Sequence, residues 1–329
     1  MTIKLKYFSI VALLCMSLCF VACTEDWDFQ VPEATTELQN DCIKRSLGPN
    51  LVGASVEFVY AMAIGDDQGR LVSARVEANI DGATGTYLEH RSFHTGSGGQ
   101  DVGVVVGSPS VTEGKVTTVN FTADTCAASL RYYYIIPEEA RGKELTFTFY
   151  VTDSNGKTIS YKMGSYTVSN MDMKLDVVVP TDSYFSIADM AVYTAAEALA
   201  NPSKADLVYL YRRLTTVNYL HSFVSPGGAS EYLEDLVVDP SINNRTPILK
   251  TFGAIDQHLA RNQYGVFIDD LDFQKIDFSS APYFGINLKK DAGVWVETAN
   301  GEFRAFIYIN NVNNVRREMT VSIKRLKMK

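Results

Sequence analysis

Histidine, cysteine and basic charge are all in short supply in this chain, and each shortage excludes something. Only four histidines occur in 329 residues, His90, His94, His221 and His258. None belongs to an H-E-x-x-H pair, and there is no G-x-S-x-G nucleophile elbow, P-loop or dinucleotide fingerprint. The common hydrolase, zinc-protease and nucleotide chemistries therefore lack the spacings their geometry requires. The expectation is a protein without catalytic residues, without a metal and without a cofactor. Lysine and arginine number 30 against 38 acidic residues, a net charge of −8. With no basic stripe to interrupt it, a surface of that sign repels phosphate backbones, so nucleic acid is excluded as a partner.

Long apolar runs are missing too, apart from one. Residues 7–22 carry no charge and follow Lys4 and Lys6, the layout of a secretory signal peptide. The run is about 16 residues, short of the roughly 20 that a membrane-spanning helix needs. It ends in "FVACTEDWD", a cysteine followed at once by acids. The "VA" before Cys23 resembles the lipobox of bacterial lipoproteins, in which the cysteine is acylated and becomes the first residue after cleavage. Two or three acyl chains hold a protein on a bilayer where one would be marginal. Thr24, Glu25, Asp26 and Asp28, around Trp27, resemble the acidic surface-export signal that Bacteroidetes lipoproteins carry just after the lipidated cysteine. The expected arrangement is a signal peptide over residues 1–22, a lipidated acidic tether over 23–44, and an outer-membrane location facing the cell exterior.

Of the five cysteines, Cys15 and Cys19 leave with the signal and Cys23 takes lipid, so only Cys42 and Cys126 remain. In an exported chain these two could form one disulfide or stay as separate thiols.

Beyond the tether the pattern is that of strands. In "LVGASVEFVYAMAI" Val56, Phe58, Tyr60 and Met62 fall on one side, the two-residue period of a strand on a core. "VSARVEANI" repeats it after the turn "GDDQGR", and the two are expected to pair as a hairpin. A second hairpin is expected where Leu145, Phe147, Phe149 and Val151 lead through Asn155-Gly156 to Ile159, Tyr161 and Met163. "VTTVNFT" and "SLRYYYIIP" add two strands. In the second half, Thr194 and Glu197 have capping-box spacing, which predicts one short helix before Asn201-Pro202. "DLVYLYRR" is apolar on both faces, as a central strand would be, and "VWVETANGEFRAFIYI" is a hairpin around Asn300-Gly301. The reading is an all-β protein in the main. An immunoglobulin-like β-sandwich occupies residues 45–170, followed by a second, mostly β domain with a few short helices over 171–329.

The stretch "YFSIADMAVYTAAEALANPSKADLVYLYRR", together with "APYFGIN" and the acidic lipid-anchored start, resembles a family of two-domain surface lipoproteins from Bacteroidetes. Members accompany SusC/SusD-like importers, TonB-dependent barrels with lipoprotein lids that take up glycans or peptides. The resemblance implies a setting and carries no catalytic motif.

Candidate site residues are few. Glu89, His90 and His94 would share a face only in a helix, and beside "TGSGGQ" they are expected in a loop without metal. Asp269, Asp270, Asp272 and Asp277 lack the full calcium-loop spacing. Tyr132, Tyr134, Tyr209 and Tyr211 read as core. Loop aromatics are better ligand-binding candidates, because an exposed ring can stack on a sugar or cover a peptide side chain: Tyr219 and Phe223 around His221, and Tyr283 with Phe284. Three functions are compatible with these residues. The first is a binding accessory of a SusCD-like importer of glycans or peptides; the second is a structural, adhesive or fimbria-associated surface protein; the third is a surface hydrolase with an unfamiliar site.

Overall fold

The structure, a computed structural model, describes residues 36–214, 218–262 and 265–329. Cys23, Thr24, Glu25, Asp26 and Asp28 lie outside the described residues, as does the signal segment.

The first half contains β1 (Gln39–Lys44), β2 (Ser55–Ala63), β3 (Leu71–Ala78), β4 (Tyr87–Leu88), β5 (Arg91–Thr95), β6 (Asp101–Val105), β7 (Val111–Glu113), β8 (Val116–Asn120), β9 (Ala127–Ile135), β10 (Glu144–Asp153) and β11 (Thr158–Thr167). Two antiparallel sheets, ordered β1-β2-β9-β4 and β11-β10-β3-β8-β7, form a sandwich, and β5 with β6 makes a ribbon. The alternation explains the packing. Phe58 and Tyr60 on β2 and Tyr132 and Tyr134 on β9 point inward, where they meet Phe147 and Phe149 of β10. Ring centroids of Phe58 and Phe147 are 4.9 Å apart, those of Tyr60 and Phe149 5.1 Å, and those of Tyr134 and Phe147 5.0 Å. Rings of this size dominate core energetics, and tilted contacts add to simple burial.

One expected hairpin is absent. β2 and β3 lie in different sheets, so "GDDQGR" carries the chain across the sandwich. Alternation shows which face is apolar but not which sheet a strand joins, and both apolar faces are satisfied by facing each other across the core. The β10–β11 hairpin is present, and at its turn Gly156 alone takes positive φ, while the Asp153 carboxylate accepts from the Asn155 and Lys157 amides.

The second half contains β12 (Asp172–Pro180), β13 (Ser183–Ser186), β14 (Ala191–Tyr193), β15 (Leu207–Arg212), β16 (Leu220–Val224), β17 (Ile248–Phe252), β18 (Phe284–Gly285), β19 (Ala292–Glu297), β20 (Phe303–Asn313) and β21 (Glu318–Lys327). Its helices are α1 (Ala195–Ala200), α2 (Gln257–Ala260) and α3 (Asp270–Lys275), with short 3-10 turns besides. The expected capping box holds α1: Thr194 accepts from the Glu197 amide and Glu197 from the Thr194 amide. Sheets β12-β21-β20-β19-β17 and β14-β13-β15-β16-β18 pack face to face around Phe185, Tyr209, Phe223, Val294, Ile307 and Val321. Their outer faces are covered as well. α1 and the 229–242 loops lie over Val208, Leu210 and Val224, which is why β15 is apolar on both sides. α2 and α3 lie over Trp295, Phe306 and Tyr308, and Leu51 of the first half joins that same cluster beside Met171. Arg141 adds an ion pair to Asp172 at 2.9 Å, and Asp172 pairs in turn with Arg325 at 2.8 Å.

Candidate functional site

The aromatic residues singled out from the sequence do not gather in a loop. Tyr219, His221 and Phe223 are 1%, 2% and 0% exposed, and the segment expected to be a loop is strand β16 with its lead-in. Leu220 takes φ +46°, which breaks the alternation. Phe223 consequently faces the sandwich interior, whereas Tyr219 enters the outer layer and donates its hydroxyl to the Tyr232 carbonyl. Tyr283 and Phe284, at β18, also belong to that layer. The Phe284 ring stacks on Tyr232 at 3.8 Å, and the Arg245 guanidinium sits 4.7 Å from the Tyr283 ring centroid. These are packing arrangements, and a serine, glycine and proline-rich stretch such as "SFVSPGG" misread as loop hid them.

His221 leads to a different place. Its Nδ1 lies 2.6 Å from the Tyr209 hydroxyl and its Nε2 2.8 Å from Asn314 Oδ1. Burial lowers the His221 pKa, so the ring is neutral and carries one proton. With Asn314 presenting an oxygen, that proton is on Nε2, and Nδ1 accepts from Tyr209, whose own pKa burial raises. The chain Tyr209, His221, Asn314 thus runs from the sandwich core to the surface.

At its outer end is a cleft of about 450 Å³ between the end of β15, the turn after Pro180, and the β20–β21 turn. Tyr211, Arg212, Arg213 and Asp235 line one side, Asp182 and the Asn314–Arg317 turn the other. Asn313 holds that turn by accepting from the Val315 and Arg316 amides. Arg212 is engaged twice, with Asp182 at 2.8 Å and Asp235 at 2.6 Å, and Arg316 pairs with Glu318 at 2.7 Å. Their neighbours differ. Among the described residues, neither Arg213 nor Arg317 pairs with a carboxylate; Arg213 donates from Nε to the Tyr211 hydroxyl at 2.8 Å. The reading from sequence missed these groups, although two arginine pairs, 212–213 and 316–317, each at a strand end, were visible.

A larger cleft, about 720 Å³, lies at the rim of the first sandwich beside Asp81, Lys115, Glu138 and Glu139. Glu138 is occupied by Arg141, and Asn79 is bonded to the Glu144 carbonyl and Thr146 amide, so these two side chains serve local structure.

The remaining candidates have structural partners. His94 lies in β5, in a hairpin with β6 rather than a loop, and Glu89 is buried against Arg91 and the His90 amide. Among the described residues no three His, Cys, Asp or Glu side chains are grouped as metal ligands. Asp269 caps α3, accepting from the Leu271 and Asp272 amides, Asp272 completes the capping box, and Asp277 accepts from the Ser279 amide. Ser169 donates its hydroxyl to Asp270. Cys42 and Cys126 are free thiols, so the disulfide alternative is overturned. Register gives the reason. Cys42 is opposite Tyr60, whereas the Cys126 carbonyl accepts from the Ile64 amide, four residues further on and two strands away. The separation is roughly 13 Å along the sheet and 9 Å across it, well beyond a disulfide's reach.

Comparison with known proteins gives the family. Residues 35–168 match DUF4466 and residues 169–328 match DUF8576, both domains of unknown function. Curated proteins offer no match. Among solved structures, the chain is similar to a DUF4466 family protein from Parabacteroides merdae, with 45% identity and a TM-score of 0.83 over 90% of this chain and 100% of that one. Much looser is the likeness to BcpA, the major pilin subunit of Bacillus cereus, with 9% identity and a TM-score of 0.29 over 87% of this chain and 66% of that one. A cohesin module from a Clostridium perfringens family 33 glycoside hydrolase is similar at 18% identity and a TM-score of 0.25, over 41% of this chain and 98% of the module. Matched along nearly its whole length by a relative of this kind, the chain belongs to the DUF4466 family.

Proposed function

We propose that this protein is a non-catalytic binding accessory of a SusCD-like nutrient importer, held on the outer-membrane surface by lipid on Cys23 and directed outward by the acids that follow it. The observation that carries the binding reading is the cleft beside Tyr211. Two arginines there, Arg213 and Arg317, have no carboxylate partner among the described residues, while their immediate neighbours Arg212 and Arg316 do. A fold that neutralises one arginine of each pair and leaves the other available has the chemistry of a recognition site. The anchor and the importer rest on the sequence alone.

The test is affinity capture of the lipidated protein from detergent-solubilised outer membranes, with the co-purifying proteins identified by mass spectrometry. Recovery of a TonB-dependent barrel with its lid lipoprotein is the expected result. Pilus or adhesin subunits in their place would favour a structural role, and Cys23→Ala protein that still carried acyl label would remove the anchor.

A further inference from the structure

Resting on that binding reading, we infer that the cleft recognises a carboxylate group, gripped between Arg213 and Arg317 with the amide nitrogen of Asn314 beside them. The polarity of the lining decides the class of ligand. Asn314 gives its oxygen to His221, so its NH2 is the end left to donate elsewhere. Tyr211 receives the Arg213 Nε proton on its oxygen, which leaves the phenolic hydrogen as a donor. Guanidinium groups only donate. The two acids in the lining, Asp182 and Asp235, are both taken up by Arg212. Three arginines against those two acids leave the lining one positive charge in excess, on a protein whose net charge is −8. At physiological salt the charges elsewhere are screened beyond about 8 Å, so this local excess governs binding at contact. Planar guanidinium forks match the two coplanar oxygens of a carboxylate.

A carboxylate can come from a uronic acid of a glycan or from an acidic peptide, and calorimetry on the full chain in detergent separates the two. The probes are trigalacturonate, the neutral trisaccharide of galactose, and triglutamate. Saturable binding of at least one carboxylate probe is expected, with none of the neutral sugar, and the probe that binds identifies the source. Arg213→Gln and Arg317→Gln should each weaken binding on the order of tenfold or more. Both side chains lie at the surface, so thermal unfolding of the variants should match the parent. Equal binding of the neutral sugar, binding unchanged in both variants, or no binding of either carboxylate probe at millimolar concentration would overturn the inference. The importer reading fails separately. Carboxylate binding without barrel recovery leaves the site and removes the importer, whereas barrel recovery without carboxylate binding does the reverse.

Discussion

Tyr209 and His221, on adjacent strands of the second sandwich, share a 2.6 Å hydrogen bond inside the core. Their rings are parallel within 6° at 6.1 Å between centroids. Neutral His221 needs a donor at Nδ1, and among the described residues the phenol supplies it. Tyr209→Phe keeps the ring and removes the donor, leaving a buried acceptor without a partner. The expected loss is about 1–3 kcal/mol in urea unfolding, and the same variant should leave Asn314 free to turn its amide, weakening any ligand held by that NH2.

A second buried pair lies under α2. Lys324 and Asp256 are both fully buried, 2.7 Å apart, and Asp256 also accepts from the Leu259 and Ile268 amides. Lys324→Met strands that carboxylate and should cost about 3–5 kcal/mol in denaturant unfolding.

The same surroundings set a pH dependence. His258 is pushed down to about 4, first by burial and then by the Lys324 charge. Unfolded, the ring takes a proton near pH 6.5; folded, it does so only near 4. The unfolded state therefore binds more protons in that window, and stability falls as pH drops from about 6.5 towards 4. Carboxylates titrate at the lower end, so the comparison is with His258→Gln, whose melting temperature should fall less than the parent's between pH 7 and pH 5.

How much of this was legible in the sequence depends on distance along the chain. Period-two alternation located β2, β9 and β10, a run apolar on both faces located β15, and local turn chemistry located the Asn155-Gly156 and Asn300-Gly301 hairpins and the cap of α1. It could not say that β3 leaves β2 for the opposite sheet, because the faces look the same in either pairing. At Tyr219–Phe223 polar and apolar residues alternate with Ser222 and His221 in a strand buried on both sides, and a buried polar pair reads like exposure until its partners, Tyr209 and Asn314, are brought in from 12 and 93 residues away. The cleft was hidden for the same reason. Its arginines were visible, but which of them is neutralised depends on Asp182, Asp235 and Glu318 arriving through the fold.

The free cysteines should differ in reactivity. Cys42 is buried, and burial together with Asp41 pushes its thiol up to about 12, so almost no thiolate exists at pH 8. Cys126 is half-buried. Iodoacetamide labelling followed by peptide mapping should modify Cys126 in the native protein and Cys42 only in denaturant. Recovery of a Cys42–Cys126 linked peptide from non-reduced protein would contradict the register.

Leu51 joins the two sandwiches through an apolar contact. It is fully buried in a cluster with Met171, Leu259, Phe273 and Trp295, all from residue 171 onward. Leu51→Ala should cost about 2–5 kcal/mol, and because Trp295 shares the cluster, its fluorescence should report the loss. Unchanged Trp295 emission with unchanged stability would mean that the contact contributes nothing to holding the halves.

Asp206 is the carboxylate most at odds with its surroundings. It is nearly inaccessible, accepts from the Ile187 amide at 2.8 Å, and has no cationic partner among the described residues, so burial pushes its pKa up to about 7 against the backbone amides it accepts from. Unfolded, it ionises near 3.9. Between these values the folded state binds the extra proton, so its contribution is fully present below the unfolded pKa and is lost as pH rises through about 7. Asp206→Asn keeps an oxygen for the Ile187 amide and removes the charge. The variant should therefore gain on the parent as pH rises, by about 2 kcal/mol between pH 5 and pH 8 in urea unfolding. A gap that stays constant across that range would show that Asp206 is ionised in the folded protein throughout, with the amide donors of the Ile187 turn outweighing burial.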